Sequence, residues 1–180
     1  MLKNKSAKLL LWVAIAGISM FFAGLTSAYI VRKAEGNWIT FQLPDWFLFS
    51  TIVIVFSSIS IIIAKRIVKQ NKSATSWLFT TLLLGSFFAF FQLKGWELLV
   101  EQGLYMTGEG SNISASFLYV ITLAHLVHLI GGLIALLITA INTKRGKYTN
   151  KDCLGFELTT IYWHFLGLLW VYLFFFLKYF

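Results

Sequence analysis

Residues 116–141 read SFLYVITLAHLVHLIGGLIALLITAI, and this run decides the fold. It contains no Asp, Glu, Lys or Arg, and it is longer than the ~20 residues that an α-helix needs to cross a bilayer. Four other runs have the same character, so we predict an all-α, polytopic membrane helix bundle with five transmembrane helices. The predicted spans are Leu9–Val31, Trp46–Ala64, Trp77–Val100, Ser116–Ile141 and Phe156–Leu177.

The composition also indicates a membrane protein. Of the 180 residues, 58% are hydrophobic and 12% are charged, which is more apolar surface than a soluble domain of this size can bury. The gaps between the spans are too short for a soluble domain, so we predict that residues 1–180 form a single integral membrane domain. The start, MLKNKSAKLLLWV, resembles a secretory signal. Its apolar stretch exceeds the ~7–15 residues of a signal core, and we interpret it as a retained first helix.

The formal net charge of +8 is distributed unevenly between the two ends of the predicted helices. Most basic residues precede the first span or lie in the second and fourth connections: Lys3, Lys5, Lys8, Lys65, Arg66, Lys69, Lys72, Lys144, Arg145, Lys147 and Lys151. The opposite ends carry only Arg32, Lys33 and Lys178. The positive-inside rule therefore predicts an N-in, C-out orientation. Attraction to anionic headgroups explains the excess charge, and we expect no nucleic-acid partner.

The chain has one cysteine, Cys153. One cysteine cannot form a disulfide within the chain. It also excludes C-x-x-C-H haem attachment, thiolate iron–sulfur clusters and a multi-cysteine copper site made by this chain alone. We interpret Cys153 as a small buried apolar residue.

Small residues recur four positions apart in two spans, Gly24 with Ala28 and Gly131 with Ala135. Such pairs let helix backbones approach closely in a membrane. They favour a compact bundle, or faces that dock onto another membrane protein.

Several polar side chains fall inside the predicted spans: Gln92, Lys94, Glu97, His125, His128, Glu157 and His164. An ionisable residue at membrane depth costs ~2.5–3.5 kcal/mol on insertion scales, so each is expected to face protein or a polar ligand. His125 and His128 are spaced to share one helix face. Glu157, Thr160 and His164 are spaced to form one stripe along the last helix.

Three interpretations of these groups remain open. Two histidines from different helices could ligate a metal or a haem, although no carboxylate lies near the His125–His128 pair. Glu97, Glu157 and the histidines could form a proton relay, although they are sparse. The third interpretation is hydrogen bonding between helices, or binding of lipid headgroups at the ends of the spans. No nucleophile–base arrangement, phosphate-binding Gly loop or interrupted transporter helix is evident.

Four motifs, taken in order, resemble subunit III of haem–copper terminal oxidases, the cytochrome c oxidase family. GFELTTIYWHFLGLLWVYLFF is similar to the GFE…YWHF…W signature of that family. FLYVITLAHLVHLIGG resembles its paired histidines before small residues, and LGSFFAFFQLKGWELL resembles its LG…F…Q…E pattern. MFFAGLTSAYIV is similar to a segment that the family places in its third helix. The chain thus resembles a short, five-helix form that lacks the first two of seven helices.

Two positions depart from the family pattern. Many members carry a glutamate where this chain has Ile18, and an aspartate where it has Gly167. Both changes remove a carboxylate from the helices. They weaken any expectation that this subunit itself conducts protons.

The resemblance implies an accessory, non-redox subunit of a proton-pumping cytochrome c oxidase in aerobic respiratory electron transport, in a bacterial cytoplasmic (inner) membrane. It implies no cofactor or metal in this chain, haem and copper in partner subunits I and II, a V-shaped cleft that binds phospholipid, and support of stability, turnover and proton uptake in subunit I. A larger respiratory supercomplex is a further expected partner. The expected lipid-binding or helix-orienting residues are Glu97, His125, His128, Glu157, Trp163 and His164.

Other assignments stay open at this point. Subunit III of a quinol oxidase and an accessory subunit of a nitric oxide reductase would have the same fold. A small membrane transporter and a stand-alone membrane haem protein belong to different classes. A transporter would need a substrate site near the bilayer midplane and, as a rule, repeat symmetry, and the sequence shows neither.

Overall fold

Five α-helices form the described part of the computed structural model, which covers residues 2–36, 38–39, 41–70, 73–108, 111–148 and 153–180. Their bounds are α1 Leu2–Ala34, α2 Asp45–Lys69, α3 Thr75–Glu101, α4 Ile113–Lys144 and α5 Leu154–Tyr179. All five are long and apolar enough to span a membrane, and the described residues contain no strand. The prediction of an all-α bundle with five such helices is confirmed. Lys72 and Lys151, which contribute to the orientation argument, lie outside the described residues, and the N-in, C-out orientation stays a prediction.

The helices extend past the predicted spans, and the C-terminal ends of α3 and α4 are set by a glycine motif rather than by hydropathy. After α3, Gly103 has a φ of +77°, and the N–H of Leu104 donates to the carbonyl of Leu99 at 3.0 Å. Gly146 ends α4 in the same way, with a φ of +68°. This Schellman arrangement needs a residue that tolerates positive φ, and glycine does so without steric cost.

Helices α2 to α5 form a closed ring. In it α2 contacts α3, α3 contacts α4, α4 contacts α5, and α5 contacts α2. Helix α1 lies outside the ring and contacts only α4 and α5 among the described residues. Its most apolar segment is 11% buried, against 50% for that of α5. Most of the surface of α1 therefore faces outward.

The centre of the ring is filled by Trp163 of α5, which is fully buried. A Cβ built on Gly85 of α3 would lie 2.6 Å from its indole ring, and one on Gly132 of α4 would lie 3.3 Å from it. A larger side chain at Gly85 or Gly132 would therefore clash with Trp163. The two glycines thus make room for a tryptophan side chain where α3, α4 and α5 meet.

The prediction that helix backbones of this chain pack closely at Gly24 and Gly131 is wrong for these two glycines. A Cβ on Gly24 meets nothing within 4 Å, and one on Gly131 meets only the hydroxyl of Tyr162, at 3.9 Å. Spacing alone does not specify which helix face meets a neighbour, and Gly24 lies on the outward face of α1. Docking of that face onto another membrane protein stays a prediction.

Candidate functional site

His125 is enclosed by aromatic rings from three other helices. Phe22 of α1, Phe88 of α3 and Trp170 of α5 lie with ring centroids 6.4, 5.8 and 5.1 Å from the imidazole. The side chain is 1% exposed, and neither ring nitrogen has a hydrogen-bond partner among the described residues. His125 therefore contacts α1, α3 and α5 through ring packing, and it is sealed from the lipid-facing surface.

His128 lies one turn further along the same face of α4. Its ring packs on Phe22 at 5.7 Å, so the prediction that the two histidines share a face is confirmed. Its Nδ1 lies 2.7 Å from the carbonyl oxygen of Ala124, and its own carbonyl accepts a hydrogen bond from Tyr162 of α5 at 3.2 Å. This half-buried residue lies where α1, α4 and α5 meet.

Gln92 belongs to a row of polar contacts between α2 and α3. Its Nε2 donates to the hydroxyl of Ser50 at 2.8 Å, and both side chains are buried. Further along, Ser57 donates to the carbonyl of Thr81 at 3.2 Å, and the Thr81 hydroxyl donates to Ser60 at 3.1 Å. These bonds pair buried donors and acceptors that lipid cannot pair, and they join α2 to α3 along the row. The Oε1 of Gln92 has no hydrogen-bond partner among the described residues.

The serines of this row were not predicted from the sequence. A signal was present, because Ser50, Ser57 and Ser60 follow one another at seven and three residues, a spacing that places them on one helix face. Single hydroxyls are common in membrane helices and each costs little. Only the shared spacing distinguishes a polar row from scattered serines.

Trp163 joins the polar row to the ring centre. Its Nε1–H donates to the Ser57 hydroxyl at 3.1 Å, which links α5 to α2. Seven residues further along α5, the Nε1–H of Trp170 donates to the hydroxyl of Thr51 of α2 at 2.9 Å. Both indoles therefore join α5 to α2 by a directional bond as well as by packing.

Glu157 forms an ion pair with Lys8 of α1 at 2.6 Å, close to the start of α5. The Cys153 thiol lies 3.9 Å from the same carboxylate. The two ion-pair side chains are 45% and 26% exposed, which is compatible with contact to headgroups and water. The carboxylate thus links α1 to α5 at this end of the bundle.

Glu97 lies on the exposed surface of α3, where it pairs with Lys94 of the same helix. The two residues are three positions apart on α3, and their ion pair joins no second helix among the described residues. Trp96, which lies between them in sequence, points inward and donates to Thr122 of α4 at 3.0 Å. Glu97 therefore faces outward, whereas its neighbour holds α3 to α4.

His164 is half-buried in a groove between α2 and α5, together with Ser58 and Gly167. Thr160 is turned away from it and bonds the carbonyl of Phe156 in its own helix. The predicted stripe of Glu157, Thr160 and His164 thus meets three different surroundings rather than one. Among the described residues, no group of three His, Cys, Asp or Glu side chains is placed to hold a metal ion.

The described contacts do not join the ionisable groups into one pathway. Glu157 is paired with α1, Glu97 is paired within α3, and His125 has no hydrogen-bond partner among the described residues. A relay needs an unbroken series of donors and acceptors, whereas these groups are dispersed over the bundle. The Glu157 pair joins two helices, and the Glu97 pair stays within one helix.

Comparison with known proteins identifies a family. The sequence profile of cytochrome c oxidase subunit III matches residues 38–180. A probable cytochrome c oxidase subunit 3 of Nocardia farcinica is 33% identical over 167 residues, which cover 86% of this chain and 78% of that protein. A cytochrome c oxidase subunit 3 of Bacillus sp. strain PS3 is 28% identical over 181 residues, covering 96% and 85%. That of Corynebacterium diphtheriae is 28% identical over 165 residues, covering 86% and 78%.

Proposed function

Because the chain belongs to the cytochrome c oxidase subunit III family, we propose that it is the accessory, non-redox subunit of a proton-pumping haem–copper cytochrome c oxidase. The match of the family profile to most of the chain carries this proposal. Its relatives are subunits of an oxidoreductase complex, and it is a multi-pass membrane protein by its five helices. The bacterial relatives support a place in the bacterial cytoplasmic membrane.

The redox chemistry belongs, in this proposal, to partner subunits I and II, which hold haem and copper and reduce oxygen to water with electrons from cytochrome c. The chain contributes a rigid surface. Its buried polar side chains support this role, since Gln92, Ser57 and Trp163 are occupied in bonds between its own helices. The complex is a candidate member of a larger respiratory supercomplex.

Three of the expected site residues suit helix orientation. Trp163 and His125 are both buried at the meeting points of several helices, so each fixes helices against one another. His128 suits the same role where α1 packs against the ring. Replacement of these residues is expected to act on assembly rather than directly on electron transfer.

Other expected site residues suit contact with phospholipid headgroups. Glu157 with Lys8, and Glu97 with Lys94, are partly exposed ion pairs toward the ends of their helices. A zwitterionic or anionic headgroup can exchange with either partner of such a pair. Lipid held in the expected V-shaped cleft, together with the bundle itself, would stabilise subunit I and sustain its turnover and proton uptake.

Gentle purification tests the proposal. The tagged chain is isolated from its host in mild detergent, and a reduced-minus-oxidised optical spectrum is recorded. The proposal expects an a-type haem signal, larger co-purifying subunits and oxygen uptake with reduced cytochrome c. Removing this chain should leave the haem signal with the partners and shorten sustained turnover, and adding the chain back should restore it.

Other outcomes would contradict the proposal. A b-type signal with quinol oxidation or nitric oxide reduction would assign the chain to a different complex. A colourless chain with no partner subunit would exclude the oxidase. A pigment retained by the isolated chain would show that it binds a cofactor itself.

A further inference from the structure

One face of α5 is left open between α1 and α2. Those two helices do not contact each other in the described part of the chain, although each contacts α5. Leu168 of α5 lies in this opening and is 73% exposed. It forms a ridge between two grooves, because it lines a cavity of about 290 Å³ on the α2 side and another of about 360 Å³ on the α1 side.

The groove on the α2 side is apolar except for two groups. Its walls include Ile54, Val55 and Val171, while the imidazole of His164 and the hydroxyl of Ser58 also line it. Within the described residues, neither polar side chain has a hydrogen-bond partner, although the Ser50, Ser57 and Ser60 hydroxyls of the same helix all do. The two open groups therefore share one groove on the outer side of the ring.

The position of these groups in their helices determines what can cover them. Ser58 is near the middle of α2 and His164 is in the central part of α5, so both lie at membrane depth rather than at headgroup level. Acyl chains fill apolar grooves, but they offer an imidazole neither a donor nor an acceptor. A neighbouring transmembrane helix can supply both apolar side chains and a hydrogen-bonding side chain.

The shape of the groove agrees with a helix as its occupant. Gly167 lies in the groove wall, where a Cβ would come within 3.1 Å of the Ser58 hydroxyl and 3.7 Å of Ile54. The absence of a side chain at Gly167 therefore lets α2 of this chain pack closely against α5 at the wall of the groove. The Leu168 ridge with a groove on each side is the surface that ridges-into-grooves packing requires.

We propose that the face of α5 between α1 and α2 docks a transmembrane helix of another oxidase subunit, which presents a hydrogen-bonding side chain to His164 and Ser58. This inference rests on the proposed function, since it takes its partner from the oxidase assembly. It assigns the subunit interface to one side of the bundle and leaves the outer faces of α3 and α4 to lipid.

Photo-crosslinking in native membranes tests the docking face. A photoreactive amino acid is placed at Leu168, or at the matched control positions Leu83 of α3 and Ile134 of α4, which are 56% and 54% exposed. The proposal expects an adduct with another oxidase subunit from position 168 and none from the two controls. Oxidase adducts from position 83 or 134 and none from 168 would overturn it.

Two further outcomes separate the proposal from the proposed function. Adducts with lipid alone at position 168, while the oxidase still co-purifies with the chain, would overturn the docking face and leave the proposed function intact. An adduct at position 168 with a protein that is not an oxidase subunit, together with failure of co-purification, would overturn both.

Substitution of His164 tests the hydrogen bond. His164→Leu removes both ring nitrogens, whereas His164→Gln retains a donor and an acceptor. The His164→Leu variant is expected to raise the dissociation constant for the partner subunits about threefold to tenfold, as for other hydrogen bonds between membrane helices, and His164→Gln is expected to restore part of it. The thermal unfolding of the chain alone should be unchanged, since no described residue bonds His164. Equal retention of partners by wild type and His164→Leu would contradict the proposed bond.

Discussion

The ring of α2 to α5 and the outer helix α1 are held in different ways. Every contact between neighbouring helices in the ring includes a directional polar bond: Ser50–Gln92, Trp96–Thr122, Thr139–Thr159 and Trp163–Ser57. Helix α1 is held by the buried rings of Phe22 and Tyr29, by a hydrogen bond from Tyr172 to Thr26 at 3.2 Å, and by the Lys8–Glu157 ion pair.

The difference shows where this subunit supplies its own stability. In a bilayer, apolar surface gains little by moving from lipid to protein, so close packing and hydrogen bonds decide which helices stay together. In the ring, close packing and hydrogen bonds extend along the length of the helices. Helix α1 has such contacts along one narrow face only, and the rest of its surface must be covered by lipid or another protein.

Removal of the central side chain of the ring should have the largest effect. Trp163→Ala leaves a cavity between α3, α4 and α5 and breaks the bond to Ser57, and a buried Trp→Ala change typically costs about 3–5 kcal/mol. The matched control is Trp12→Ala on α1, where the indole is 57% exposed and the free energy of unfolding should hardly change. Reversible unfolding in detergent measures both variants. Equal losses would contradict the division between ring and outer helix.

Adding a larger side chain inside the ring should cause the next largest loss of stability. In Gly85→Val the added atoms would overlap the indole of Trp163, so the free energy of unfolding should fall by about 1–3 kcal/mol. Gly24→Val adds the same atoms on the open face of α1 and should leave the isolated chain unaffected. Thermal midpoints of the two variants in one detergent provide the comparison. A larger loss for Gly24→Val would show that the outward face of α1 is covered within this chain.

The polar row should contribute a smaller coupling. A double-mutant cycle with Ser50→Ala and Gln92→Leu is expected to give about 0.6 kcal/mol, the average for hydrogen bonds between membrane helices. The contribution is modest because a partly unfolded chain in the membrane also finds partners for these groups. A coupling energy of zero would show that the bond between the buried Ser50 and Gln92 does not hold α2 to α3.

The ion pair that joins α1 to the ring should show the smallest effect, and the only one that depends on salt. Lys8→Gln and Glu157→Gln remove its two charges, which lie partly in contact with solvent. Their coupling should shrink as ionic strength rises, because exposed charges are screened, whereas the Ser50–Gln92 coupling should not change. Double-mutant cycles at low and high salt measure this difference. A coupling that stays constant with salt would indicate a pair shielded from solvent.

The sequence allowed prediction of the helices and of the shared face of His125 and His128, because both depend on periodicity within one helix. It did not allow prediction of which small residues touch another helix. Gly85 and Gly132 accommodate Trp163, yet Gly24 and Gly131 have the more conspicuous spacing. The spacing of residues along one helix contains no information about the side chain that arrives from another.

The surroundings of the candidate site residues were also beyond local prediction. Glu157 and His164 lie on one helix seven residues apart, but Glu157 meets α1, whereas His164 opens into the α2 groove. Neither location follows from the spacing, since α1 and α2 approach α5 from different sides.

By itself, the sequence determined that this chain crosses a membrane several times as helices, because uninterrupted apolar runs leave the backbone no other way to satisfy its polar groups in lipid. The family motifs within those runs determined the oxidase assignment. Only the tertiary structure decided that α2 to α5 close into a ring around Trp163, that α1 stays outside it, and that His164 and Ser58 share an open groove. These features depend on which side chains from different helices fit together, and that complementarity exists only once the helices are packed.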